Sequence, residues 1–205
     1  MTGVLGDGTD RRLSPWRVLL ALVIAGGVVA VVVLRPPVIL GSASAEVEPA
    51  RWFAAYVDVT ATPRFAFETA DDPAVDDVVL SFVVADPAHP CQPSWGGFHS
   101  LDDAATSLDL DRRVARLTDA GGGVVVSFGG LLNAELATAC RNPDRLTAAY
   151  RSVVERYHLS TIDLDLEGPA LLDAASSRRR ALAVAALQQE RAAAGEPLAV
   201  WVTLP

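Results

Sequence analysis

The chain contains no lysine: all seventeen of its Lys-plus-Arg positions are arginine. Without lysine there is no phosphate loop of the Walker kind, whose glycines must be followed by Lys and Ser or Thr. Histidine is scarce. His89, His99 and His158 stand far apart and read as solvated loop or helix-end residues. Cysteine occurs only at Cys91 and Cys140, so no spacing suits a zinc ligand set. Positive charge is in deficit, with a net charge of −8 and no basic stripe, and nucleic-acid binding does not fit that balance. No glycine-rich dinucleotide loop follows the first strand-like segment. The all-arginine, Ala-, Val- and Asp-rich usage is what GC-rich coding produces.

Hydrophobic residues make up 51% of the 205, enough for one domain with a substantial core. Residues 18–34 form an uncharged apolar run of seventeen, with Arg11, Arg12 and Arg17 before it and Arg35 after. That is the lower limit for crossing a bilayer, and the arginine bias puts residues 1–17 in the cytoplasm. The run reads as a transmembrane signal anchor for an extracytoplasmic domain. The other reading is a cleaved signal peptide with its small-residue site at Ala43-Ser44-Ala45, giving a secreted protein. Residues 35–50 read as a linker, and 51–205 as the folded domain. Outside the cell two cysteines read as a disulfide, Cys91–Cys140, against the alternative of two buried thiols.

Strand and helix patterns alternate beyond the linker. Strands are expected at 53–59, 78–85, 124–128, 162–167 and 198–204. Amphipathic helices are expected at 109–119, 143–157 and 175–194, and an irregular loop across 87–97. Asn142 before Pro143 is a good helix cap. Repeated βα units with long crossovers predict parallel strands, either in an open sheet or in a TIM barrel. The carboxylates decide between these. Asp163, Asp165 and Glu167 alternate with Ile162, Leu164 and Leu166, so a strand presents all three acids on one face. Crowded carboxylates disfavour each other's ionisation, a common cause of raised pKa values at catalytic sites. Their ascent toward a strand's C-terminal end puts Glu167 at the mouth, where barrel enzymes work. The bland alternatives are a solvated acidic edge strand or a calcium site, although the turning residues of a calcium loop are missing.

These residues resemble glycoside hydrolase family 18, the chitinase and endo-N-acetylglucosaminidase family. Ser127-Phe128-Gly129-Gly130 is similar to its SxGG motif on barrel strand 3. Asp163-Leu164-Asp165-Leu166-Glu167 is similar to the DxDxE half of its strand-4 motif, with Ser160 and Thr161 in place of the opening Asp-Gly. The resemblance runs from about residue 52 to 205. It implies an α/β fold, a (β/α)8 TIM barrel of which about five βα units are present, against about 250 residues for a whole one. It implies an N-acetylglucosamine polysaccharide as partner, and no cofactor or metal. It also implies a substrate-assisted reaction with Glu167 as acid/base, Asp165 holding the acetamido group and Asp163 sharing a proton with Asp165. Ser127, Gly129 and Gly130 are expected to support the floor near the sugar and are counted with the substrate-binding residues. Trp95 could stack on a sugar or anchor its loop, and Tyr56 with Asp58 could line the pocket or pack. Without catalysis, the chain would be a carbohydrate-binding protein or a barrel fragment with no function.

Overall fold

The computed structural model describes residues 53–69 and 76–205, together with Trp16. The expected membrane span 18–34 and linker 35–50 lie outside these residues. Among those described, no helix is long and apolar enough to cross a membrane.

Alternation begins with β1 (Ala55–Asp58), and β2 (Asp77–Ala85) follows as a run buried at all but two of its nine positions. After β2, where irregular loop is expected, the chain forms a hairpin of β3 (Pro93–Trp95) and β4 (His99–Ser100), with β3 antiparallel both to β2 and to β4. These strands are too short to leave a periodic signal. Two helices succeed them, α1 (Leu101–Ser107) and α2 (Leu110–Asp119), the second burying Leu110, Val114 and Leu117 as its pattern predicts. Then come β5 (Gly123–Gly129), the short α3 (Leu136–Ala139) and α4 (Pro143–Arg156). The carboxylate strand is β6 (Thr161–Asp165), followed by α5 (Pro169–Leu172), α6 (Ala174–Ala193) and β7 (Ala199–Thr203). Caps set the helix starts. Asn142 accepts from the Arg145 N–H at 2.9 Å, and Asp173 from the N–H groups of Ala175 and Ser176.

The five long-range parallel strands pair in the order β1-β2-β5-β6-β7, which is their order along the chain. An open doubly wound sheet reverses direction at a switch point and carries helices on both faces. Here the crossovers never reverse, so right-handed connections place the helices on one face. On that face Leu80, Val126, Ile162 and Val200 lie in one register row. Leu80, Val126 and Ile162 are fully buried there, in one core with Leu146, Tyr150, Val153, Val184 and Leu187 of α4 and α6.

The sheet curls. Tyr56 on β1 puts its hydroxyl 2.8 Å from that of Thr203 on β7. Four strand spacings in a flat sheet would separate those strands by about 19 Å. The concave face is therefore the helix-free one, and its polar row is Ser127, Asp163 and Trp201, with Gly129, Asp165 and Thr203 one step nearer the strand ends. Cys91 and Cys140 form a disulfide with Cα atoms 4.7 Å apart, tying the loop after β2 to the end of α3.

Candidate active site

Asp163 is fully buried on the concave face and accepts hydroxyl hydrogen bonds from three strands. Ser127 Oγ of β5 donates to its Oδ2 at 2.6 Å, Tyr56 of β1 donates to the same oxygen at 3.1 Å, and Thr203 Oγ1 of β7 donates to Oδ1 at 2.9 Å. Parallel register explains the first: Ser127 and Asp163 are cross-strand partners. The third is a diagonal contact across the adjacent strand, since Thr203 pairs with Asp165, and only the second requires curvature. Hydroxyls on three strands, two of them also in contact with each other, hold this carboxylate in one orientation.

Two residues on, Asp165 is 4% exposed, and among the described residues its Oδ1 has no hydrogen-bond partner. Burial, followed by the charges of Glu167 and Asp163, pushes its carboxyl up to about 6. The strand ends there rather than running to Glu167 as the alternation predicts. Pairing persists only through the Leu166 N–H, which donates to the Thr203 carbonyl at 3.0 Å. Gly168, at φ 51° and ψ −131°, then turns the chain into α5. Glu167 thus sits half-buried on the rim, one step above Asp165.

The Ser127–Gly130 segment holds this strand in place. A side chain at Gly129, whose φ is 113°, would bring its Cβ within 2.1 Å of the Asp165 carbonyl oxygen. Gly130 donates its N–H to that same oxygen at 3.0 Å and lies under the Phe82 ring. Ser127 is fully buried and Gly129 buried, so both support the carboxylates from below and neither can face a substrate. Trp95 corrects a second expectation. Its ring is fully buried, edge-on to Tyr157 at 5.9 Å, and its indole N–H donates to the Tyr157 hydroxyl at 3.1 Å. That residue anchors its hairpin and offers no face to a sugar. Tyr56 does reach the site and is 49% exposed, and Asp58 is exposed on the same side of β1.

Two sets of residues were not singled out from sequence. Thr203 lies opposite Asp165 in register, which alternation of the fifth strand could have revealed. The other is a buried cluster behind the β5 loop. Glu135 takes the Arg180 guanidinium at 2.8 Å, the Tyr150 hydroxyl at 2.9 Å and the Thr138 N–H at 3.1 Å. Burial, with the Glu135 charge, holds the Tyr150 phenol well above its ordinary value. No local pattern signals this cluster, because its members come from three separate elements.

Three carboxylates at alternate positions, two on β6 and Glu167 just beyond its end, follow one another up a curled parallel sheet. Over 159 residues, 77% of the chain, it is 36% identical to a probable bifunctional chitinase/lysozyme of Escherichia coli K12. Over 158 residues it is 34% identical to endochitinase 11 of Metarhizium anisopliae. Over that stretch the chain is chitinase-like. The chitinase-like chain spans 17% and 29% of the length of those two relatives. Among solved structures, the catalytic domain of a hyperthermophilic Pyrococcus furiosus chitinase aligns with a TM-score of 0.63 at 24% identity, covering 77% of this chain and 47% of that one. A family GH18 chitinase from Pseudoalteromonas aurantia aligns with a TM-score of 0.53 at 20% identity, covering 74% and 55%. At such identities the structural likeness establishes the α/β fold. No family model matches the chain.

Proposed function

We propose that this chain is a chitinase-type glycoside hydrolase, cleaving β-1,4 linkages between N-acetylglucosamine units by a substrate-assisted retaining mechanism. The observation that carries the reading is Asp165, a buried carboxyl that keeps its proton to about pH 6 and has an unpartnered oxygen beside the rim acid Glu167. Glu167 donates its proton to the glycosidic oxygen as that C–O bond breaks. The sugar's own acetamido oxygen forms the new bond to the anomeric carbon, so no protein nucleophile is needed. The resulting oxazolinium-like cation is stabilised by Asp165, which accepts from the acetamido N–H. Water then attacks the anomeric carbon, Glu167 takes its proton, and the acetamide is restored. Asp163, held by its three hydroxyl donors, keeps Asp165 in place and shares its proton. The coarse assignment is supported by the two chitinase relatives, and the roles of single residues by the geometry.

We place the domain outside the cytoplasm, anchored through residues 18–34 or released by cleavage; the Cys91–Cys140 disulfide supports an oxidising compartment. A second reading, carbohydrate binding without turnover, is favoured by one observation. Both ends of the curled sheet are open, with Tyr56 49% and Val202 54% exposed. One experiment separates the two. Glu167→Gln should abolish release of reducing sugar from chitin oligomers while leaving the unfolding temperature within a degree or so, since a half-buried rim side chain contributes about 0.5 kcal/mol or less. Turnover by Glu167→Gln equal to that of the natural chain would refute the mechanism. Oligomer binding by the natural chain with no turnover would establish the second reading.

A further inference from the structure

Phe82 belongs to two places at once. Its ring lies 6.4 Å from that of Tyr56 and against Gly130, beside the carboxylate floor. It also lines a cavity of 100 Å³ together with Asp58, Thr60, Phe98, Leu132 and Asn133. The chemistry of this second space is one-sided. Asp58 is its only ionisable lining residue. Asp58 Oδ1 accepts both the N–H and the hydroxyl of Thr60, at 2.9 and 2.7 Å, which uses the one proton that Thr60 could have offered and leaves Oδ2 open. The Asn133 amide donates one N–H to the Gly96 carbonyl at 3.0 Å, which leaves its second N–H as the one side-chain donor of the lining. Phe98 stands 80% exposed at the edge. The lining therefore presents a negative charge, acceptor oxygens and two phenyl side chains, with a single side-chain donor to spare. A neutral acetamido group could take that one donor but would leave the Asp58 charge unanswered. An ammonium group satisfies every feature, with three donors, a positive charge and attraction to the rings.

We propose that this cavity is a subsite for a free-amine sugar, so that the chain prefers partly deacetylated N-acetylglucosamine polymers. In them the acetamido group sits at the cleaved unit and a glucosamine ammonium sits beside it. The inference rests on the hydrolase reading for the cleaved unit, but its own evidence is the Asp58 cavity. Asp58→Asn is a clean probe, because an amide oxygen can still accept from Thr60 while the charge is lost.

The test uses the full chain carrying Glu167→Gln and titration calorimetry with two tetramers. One is fully N-acetylated and the other alternates N-acetylglucosamine with glucosamine, at a pH where the amine is protonated. The alternating tetramer should bind about fivefold more tightly, an advantage that shrinks with added salt. Adding Asp58→Asn should bring the two affinities together, and adding Phe98→Ala should reduce the same preference without removing the salt dependence. Equal affinities in the Glu167→Gln chain, or a preference that survives Asp58→Asn, would overturn the proposal. Binding of neither tetramer would overturn it together with the hydrolase reading. A failure of the hydrolase reading alone looks different: the natural chain would not release reducing sugar, while the Asp58-dependent preference would remain.

Discussion

Asp163 and Asp165 are the same residue type two positions apart on one strand, and their surroundings differ in kind. Three hydroxyl donors converge on the first, whereas the second is buried against two like charges with an oxygen left unpaired. The consequence for stability follows from the sign of the shift. A carboxyl raised from 3.8 to about 6 binds its proton more tightly in the folded state, so its contribution is complete below about pH 4 and is lost as the pH rises through about 6. Asp165→Asn has no such titration. Its unfolding temperature should rise relative to that of the natural chain as the pH moves from about 4 to above 6, and thermal melts at a series of pH values would show it. Parallel curves would mean that Asp165 titrates alike in both states. The acid pattern itself was legible, since alternation alone puts three carboxylates on one face. The difference between Asp163 and Asp165 was not, because the donors that clamp Asp163 lie 36 to 107 positions away.

At the level of elements, the important contact is between β5 and β6. Their register is set by a glycine where any side chain would strike backbone, with Gly130 adding a hydrogen bond to the same carbonyl. Gly129→Ala must shift one strand against the other and accept a strained φ, which should cost about 3 kcal/mol, measurable by urea unfolding. Activity should fall by more than this loss of stability explains, since the displaced group is the carbonyl of Asp165 itself. The motif was readable from sequence as a motif, and the strand positions were readable within a few residues. Its supporting task was expected from the family resemblance, and the burial of Ser127 and Gly129 fits support of the floor without substrate contact. The direction of Trp95 was not readable. An aromatic residue in a glycine- and proline-rich loop gives no sign of which way it turns, and here the partner that decides, Tyr157, lies 62 positions away.

Across the whole molecule, the disulfide and the curl of the sheet set the architecture. Cys91–Cys140 closes a loop of 49 positions, and removing that constraint from the unfolded chain should lower stability by about 4 kcal/mol in the chain-entropy model. Unfolding in denaturant with and without a reductant would measure it; a change well under about 1 kcal/mol would show that the reduced unfolded chain is already restrained there. Among the described residues β1 pairs only with β2 and β7 only with β6, so the run of parallel strands ends in an unpaired edge on each side. Open edges are sites for further strand pairing, and the partial coverage of the longer solved chitinases agrees with that geometry.

The sequence by itself determined what periodicity and local chemistry can encode: alternating strands and helices, the capped start at Asn142, three acids on one face, and a pair of cysteines. Those signals need only a few consecutive residues, because strand and helix periods repeat every two to four positions. Tertiary structure alone decided which hydroxyls reach Asp163, which carboxyl holds a proton, and that Trp95 faces inward. The Tyr56 contact depends on the sheet curling until β1 meets β7, an arrangement of strands nearly 150 residues apart, and Trp95 on Tyr157, 62 positions away; no local pattern records either.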